Sequence, residues 1–194
     1  MQQNSMLTIS RTLGRLPRRG DDSPHWFLAL RGLLPILINN WADLKQGPFS
    51  PLLVRHNVQP KIPYSPDDHI LKALGVLFSP SAITSTSLAD LQICAKELNL
   101  LRRSFSLPYS HPTLNAQGAV HIWTGFVSQE YMELLFDRRP EALVLLAYFC
   151  VLLKKLDSCW YFKGLGGALL EGIQEELAVE WRPWIQWAIE QPVE

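Results

Sequence analysis

The hydrophobic pattern is strongest in the C-terminal third of the chain. Twelve consecutive apolar or small residues run from Ala142 to Leu153, after Pro140-Glu141 and before Lys154-Lys155. Proline and an acidic residue favour a helix N-terminus, and lysines favour its C-terminus. Because the predicted helix is apolar all round, we expect it at the centre of the fold. It is too short to span a membrane, which takes about 20 apolar residues.

Shorter amphipathic patterns predict further helices around this one. Their apolar positions recur mostly three and four residues apart, which is the spacing of one helix face. The predicted helices cover 66–78, 88–105, 118–136 and 168–177. The helix over 118–136 is expected to break at Gly125 or to restart at Ser128. A helical turn through Trp181, Trp184 and Trp187 follows the last helix. Stretches rich in proline, 48–66 and 104–117, predict exposed connections between helices.

The N-terminal part of the chain predicts one long helix and a loose end. Ser23-Pro24 favours a helix start, and the apolar series that follows predicts a helix to Gly47 with a kink at Pro35. Residues 1–23 are predicted to be a flexible N-terminal arm. Together these patterns predict an all-α fold, a single-domain bundle of about seven helices over residues 24–194.

Composition and charge narrow the class of protein. The 194 residues are 47% hydrophobic and 19% charged, as expected for a globular domain with one sizeable core. Eighteen basic and eighteen acidic residues give no formal net charge, which argues against direct nucleic-acid binding. The three cysteines, Cys94, Cys150 and Cys159, form no CxxC motif, and the first thirty residues contain no signal-peptide core, so we expect an intracellular, cytoplasmic protein.

Motifs for cofactor or metal chemistry are absent from the sequence. The five histidines are scattered without HxxxH spacing, and no GxSxG elbow or GxGxxG fingerprint occurs. The glycines from Gly164 to Gly167 lack the lysine of a phosphate-binding loop, so close helix packing or a break between helices explains them better. We therefore predict no metal and no cofactor.

A few polar groups and an excess of aromatic residues remain as candidates for a site. His121, Tyr148 and Asp157 could orient a substrate oxygen or move a proton, although a structural role in the core or at a helix end is the competing interpretation. Seven tryptophans are more than a core of this size requires, which favours an apolar internal pocket for an apolar small molecule. The candidate ligand contacts are Trp123, Phe126, Tyr131, Phe149, Leu152, Trp160, Phe162 and Trp184.

The chain resembles the C-terminal regulatory domain of fungal zinc binuclear-cluster transcription factors, and the sterol-uptake regulator branch in particular. The segments that carry this resemblance are Arg139–Tyr148, Leu152–Asp157, Trp160–Gly164, Glu180–Trp184, His25–Gly32, Trp41 and Gly47–Leu53. The resemblance covers roughly residues 25–190. It implies an all-helical domain that holds an apolar, sterol-like ligand in a pocket formed by its C-terminal helices.

The chain departs from that family in one large respect. The sequence contains no six-cysteine zinc cluster of the kind that binds DNA in the family, and because it starts close to the Trp26-Phe27 element, we expect it to lack the family's upstream helices as well. A regulator of this kind would act through a partner, and a nuclear location would then be expected.

Two functional hypotheses follow. The first is a cofactor-independent cyclase or isomerase of fungal secondary metabolism, which folds a terpenoid or polyketide-like substrate in the pocket and polarises it with one or two hydrogen bonds. The second is a ligand-sensing or dimerising regulatory module without catalytic activity, which pairs with a full-length regulator or with a second copy of itself as a homodimer. A solely structural role is the remaining alternative.

Overall fold

A computed structural model describes residues 16, 46, 65–79, 87–110 and 116–193 of the chain. Within these ranges the chain forms seven α-helices and two 3₁₀ helices and contains no strand, which confirms the predicted all-α fold. In chain order the elements are α1 (Asp68–Ala73), a first 3₁₀ helix (Leu74–Phe78), α2 (Leu88–Ser110), α3 (Ala116–Phe126), α4 (Gln129–Phe136), α5 (Pro140–Lys154), α6 (Leu165–Glu176), a second 3₁₀ helix (Val179–Ile185) and α7 (Gln186–Glu190).

Helix α5 is the centre around which the other helices pack. It begins at Pro140 as predicted, and all of its residues from Glu141 to Lys154 are buried. Helices α2, α3, α4, α6 and α7 and the second 3₁₀ helix all contact it. A helix that is apolar on every face is stable only when neighbours cover every face, and this arrangement provides them.

Glycine allows α6 to lie unusually close to α5. A Cβ atom added at Gly166 would be 2.8 Å from the backbone nitrogen of Lys154 and 2.9 Å from the carbonyl oxygen of Cys150. The prediction of close helix packing is therefore confirmed. Helix α6 starts three residues before the predicted Ala168, because Gly164 turns the chain with a left-handed φ of 73° and the two later glycines belong to the helix.

The predicted loop at 104–117 is wrong for its first seven residues, because α2 continues through Pro108 to Ser110. Phe105 and Leu107 are buried there, so tertiary packing compensates for the hydrogen bond that proline removes. The hydroxyl of Ser110 also donates to the carbonyl of Ser106 at 2.9 Å and supports the last turn. Residues 111–115 lie outside the described ranges.

The predicted interruption between residues 118 and 136 is confirmed. Helix α3 ends at Phe126, and Ser128 caps α4 by accepting a hydrogen bond from the backbone N–H of Tyr131 at 3.3 Å. Arg102 of α2 donates to both carboxylate oxygens of Asp68 at 2.7 and 3.1 Å and thereby holds α1 on α2.

Most predictions for the N-terminal part lie outside the described residues. These are the helix over 24–47, the connection that follows it and the arm at 1–23. Leu16 is described: its side chain is buried, and its carbonyl accepts a hydrogen bond from Arg138 at 3.2 Å. No helix in the described ranges has the length and apolar character needed to cross a bilayer.

Candidate functional site

Three of the predicted ligand contacts meet in the interior. The indole of Trp123 on α3 stacks on Phe149 of α5 with 4.3 Å between ring centroids, and the ring of Tyr131 approaches it edge-on at 5.8 Å. All three side chains are fully buried. The hydroxyl of Tyr131 donates to the carbonyl of Ala142 at 2.9 Å, which joins α4 to the first turn of α5. These rings therefore join three helices by packing directly on one another.

A second group of rings leads from the surface to α3, and we call it the aromatic ladder. Its members are Trp160, Tyr161 and Phe162, from the turn between α5 and α6, and His121 of α3. Consecutive ring centroids lie 5.4, 4.7 and 6.4 Å apart. Trp160 is 86% exposed, whereas Phe162 is buried at 2%. The ladder thus connects a solvent-exposed indole to a half-buried imidazole.

A third group fastens the C-terminal helix. Trp187 stacks on Tyr148 of α5 at 5.1 Å and tilts against Phe105 of α2 at 6.4 Å. Lys154, at the end of α5, is buried and donates three hydrogen bonds, to the carbonyl oxygens of Ala188, Ile189 and Gln191 at 3.0, 3.2 and 2.9 Å. The ammonium group therefore satisfies carbonyls at the C-terminal end of α7, where a positive charge is also favourable to the helix dipole.

The remaining predicted contacts lie in different environments. Leu152 is buried on α5, while Phe126 at the end of α3 and Trp184 in the second 3₁₀ helix are 55% and 36% exposed. The structure therefore brings Trp123, Tyr131 and Phe149 into one cluster and Phe162 beside His121.

The three candidate catalytic residues each have a separate environment. The ring of His121 contacts Phe162, Tyr148 stacks on Trp187, and Asp157 accepts a hydrogen bond from the backbone N–H of Gly164 at 2.7 Å. Within the described ranges, no hydrogen bond or ring contact joins these three side chains to one another. Asp157 thus stabilises the turn that leads into α6. This is the structural role at a helix end that the sequence analysis gave as the alternative to catalysis.

Burial disfavours the charged forms of several titratable groups near the core. Loss of solvent lowers the pKa of the His121 imidazole and raises the pKa of the Tyr148 phenol to about 12. Burial, with the carboxylate of Glu141 nearby, raises the pKa of the Cys94 thiol to about 12, and burial also raises the pKa of Cys150. Neither thiol is therefore present as a nucleophilic thiolate near neutral pH. In the described ranges no three His, Cys, Asp or Glu side chains group as a metal site would require.

Three buried charged residues, Glu97, Glu141 and Lys154, escaped the sequence reasoning. Lys154 was interpreted only as a favourable helix end, although its place directly after twelve apolar residues could have signalled burial. Glu97 of α2 is buried at 1% exposure and accepts a hydrogen bond from the backbone N–H of Ser128 at 3.2 Å, and burial raises the pKa of its carboxyl. Glu97 lies three residues after the buried Cys94 and four before the buried Leu101, so the helical spacing places it beside the buried face although its charge argues for exposure.

Together these features define an all-α module whose aromatic residues and buried charges hold helices together. A similar protein exists among fungal regulators. A Zn(2)-C6 fungal-type transcription factor of Gibberella zeae is 26% identical to this chain over 175 residues, which covers 84% of this chain and 33% of that protein. This similarity supports a relationship to fungal transcription factors.

The similarity covers only part of the relative, so it supports a relationship but does not assign the relative's function to this chain. The chain spans about a third of the length of the curated relative that it matches. No family model matches the chain. No solved structure matches it.

Proposed function

We propose that this chain is a regulatory module of the fungal transcription-factor type, which works by binding an apolar ligand and a protein partner. The observation that carries the proposal is the similarity to the Gibberella zeae transcription factor, because it extends over 84% of this chain. The sequence resemblance to the C-terminal regulatory domain of such factors points to the same class. The all-α fold around a single buried helix suits this role.

The pKa values and contacts of the polar side chains also favour a regulatory role over a catalytic one. The two buried thiols have strongly raised pKa values, and Asp157 is engaged by the backbone of its own turn. Tyr148 packs flat against Trp187. A general acid or base must reach the proton that it transfers, whereas the side chains of Asp157 and Tyr148 are in contact with other groups of the protein.

The proposed ligand site is the inner end of the aromatic ladder. Phe162 there offers a buried aromatic surface, and the half-buried His121 offers a neutral imidazole, since burial lowers its pKa. Apolar pockets commonly combine aromatic walls with one or two polar groups that fix the ligand's orientation. A sterol-like or terpenoid ligand with one hydroxyl or carbonyl group matches this combination.

Binding can be measured with dehydroergosterol, a fluorescent sterol, by energy transfer from the tryptophans. We expect saturable binding that weakens about tenfold in His121→Phe, which keeps an aromatic ring but removes the polar contact. His69→Phe is the matched control, because His69 is exposed on α1. Equal affinities in the two variants would contradict the proposed site.

Regulation is tested separately by fusing the chain to an unrelated DNA-binding domain in a reporter strain. We expect reporter transcription to change when sterol is depleted, and His121→Phe to abolish that response. A fusion whose activity ignores sterol in every background would refute the regulatory proposal.

The cyclase hypothesis stays a prediction beside this proposal. Purified protein incubated with linear terpenoid or polyketide precursors would form a cyclised product without any cofactor if that hypothesis holds. Tyr148→Phe and His121→Phe would then reduce turnover. Unchanged precursor together with stoichiometric binding would favour the regulatory proposal.

A further inference from the structure

The connection between α4 and α5 has an arginine at a position where glycine is usual. Arg138 has a φ of 58°, in the left-handed region that residues with a side chain rarely adopt. Its N–H donates to the carbonyl of Leu135 at 3.1 Å, and the N–H of Arg139 donates to that of Leu134 at 2.9 Å. These two bonds make a Schellman motif, whose left-handed residue is usually glycine. An arginine is strained there, which points to a role for its side chain.

The side chain of Arg138 contacts the N-terminal arm. Its Nη2 atom donates a hydrogen bond to the carbonyl oxygen of Leu16 at 3.2 Å, although the two residues are 122 positions apart. The side chain of Leu16 is 6% exposed and belongs to the hydrophobic core that includes Leu134 and Leu135. Leu16 is therefore held by two different contacts, a buried apolar side chain and a backbone carbonyl bound to a charged donor.

The sequence at Leu16 suits such a contact. Pro17 follows it, and a residue before proline is biased towards an extended backbone. Leu16 lies outside any helix, so no helix of its own supplies a donor to its carbonyl. A partly buried carbonyl needs a donor, and the guanidinium of Arg138 supplies one. Removing that guanidinium should therefore weaken the attachment of the arm.

We propose that the corner between α4 and α5, residues 134–139, is a docking site whose occupant is the N-terminal arm of this chain. Leu16 is the apolar anchor, and Arg138 fixes the backbone beside it. A partner that binds this corner through the same contacts must first displace the arm, so the arm regulates access to the corner. The proposal goes beyond the proposed function, because it requires neither a ligand nor a response in transcription.

Cleavage of the bond between Arg15 and Leu16 by trypsin measures release of the arm. A buried Leu16 cannot enter the protease, so the rate of cleavage in the intact chain follows the fraction of molecules with a released arm. A synthetic peptide of residues 9–23 has no corner to dock on and gives the rate for an accessible bond. We expect cleavage in the intact chain to be at least about tenfold slower than in the peptide, which is the lower end of what burial of a leucine side chain contributes. Mass spectrometry identifies the products.

Arg138→Gly separates docking of the arm from stability of the bundle. Glycine adopts the left-handed conformation without strain, so cleavage after the buried Lys154, which requires unfolding of α5, should not become faster. The carbonyl of Leu16 loses its charged donor, so cleavage between Arg15 and Leu16 should become about tenfold faster. The bond that trypsin cuts is the same as in the wild-type chain, so the two rates can be compared directly. Arg182→Ala removes an exposed arginine from the second 3₁₀ helix and is the matched control, which should change neither rate.

Leu16→Ala tests the apolar anchor. Alanine buries much less apolar surface, so the cleavage rate should approach that of a 9–23 peptide with the same substitution. Val193→Ala shortens an apolar side chain that is 57% exposed and should leave the protection of the arm unchanged. Circular dichroism would verify that both variants remain folded.

Three results would overturn the proposal. The first is a wild-type chain that is cut between Arg15 and Leu16 as fast as the free peptide. The second is an Arg138→Gly variant whose arm stays as protected as in the wild-type chain. The third is protection that increases with protein concentration, which would mean that the arm of a second copy occupies the corner. A released arm in a chain that still binds sterol would leave the proposed function standing.

Discussion

Replacing Gly166 by alanine perturbs the close contact between α6 and the central helix. The added Cβ would lie 2.8 Å from the backbone nitrogen of Lys154 and 2.9 Å from the carbonyl oxygen of Cys150. It would also lie 3.1 Å from the Cβ of Leu153. Two of the three neighbours are backbone atoms of a helix that is buried on all sides, so they cannot move aside as a flexible side chain would. Helix α6 itself must therefore shift outward.

The size of the effect follows from two opposing contributions. Overpacking a well-packed core costs about 1–3 kcal/mol, and contacts with backbone on two sides place this site near the upper end. Alanine is about 1 kcal/mol better than glycine in a helix interior and gains less in the first turn, where Gly166 lies, so it offsets only part of that cost. We expect Gly166→Ala to lower the free energy of unfolding by about 2 kcal/mol, which corresponds to a melting temperature lower by about 4–8 °C for a chain of this length.

The next residue provides the matched control. A Cβ at Gly167 would meet nothing within 4 Å, so Gly167→Ala should leave stability unchanged or raise it by up to about 1 kcal/mol. Urea unfolding followed by circular dichroism at constant m-value would measure both variants. Equal stability of the two variants would show that α6 does not lie as close to α5 as described, and the packing argument would be refuted.

Three further predictions concern a buried lysine, an ion pair and the accessibility of the cysteines. Lys154→Met should lower the free energy of unfolding by about 3 kcal/mol, because it leaves three carbonyl oxygens without their donor. It should also speed amide hydrogen exchange in α7, and unchanged exchange there would contradict this role of Lys154. Asp68→Asn should cost about 1 kcal/mol at neutral pH, measured by thermal unfolding. The hydrogen bond from Arg102 lowers the pKa of Asp68 in the folded state, so this difference should persist above the ordinary value of 3.8 and shrink as the pH falls below it; a pH-independent difference would exclude the ion pair as its cause. In the native protein a thiol reagent should modify Cys159 alone, and rapid labelling of a second thiol before unfolding would contradict the described burial.

The amphipathic pattern was sufficient to predict the helices, and in particular the central one. The run from Ala142 to Leu153 indicated burial on every face because no polar residue interrupts it. The pattern was insufficient where packing overrides a local signal. Pro108 predicted a loop, yet the buried residues around it keep α2 helical to Ser110.

The candidate site was predicted less completely than the fold. The sequence shows that aromatic residues are abundant, but not which face each ring occupies. Trp123 and Trp160 are equally apolar, and the structure buries the first completely and exposes 86% of the second. The role of Lys154 depends on carbonyls 34 to 37 residues further along the chain, which no local pattern encodes.

The burial of α5 on every face also affects how the protein is made. Its apolar segment emerges during synthesis before α6 and α7, two of the helices that later cover it. Until these helices dock, the segment exposes a hydrophobic surface of the kind that chaperones bind and proteases recognise. Substitutions that slow docking of α6, even at sites far from any ligand, should therefore lower the amount of protein in the cell more than its specific activity.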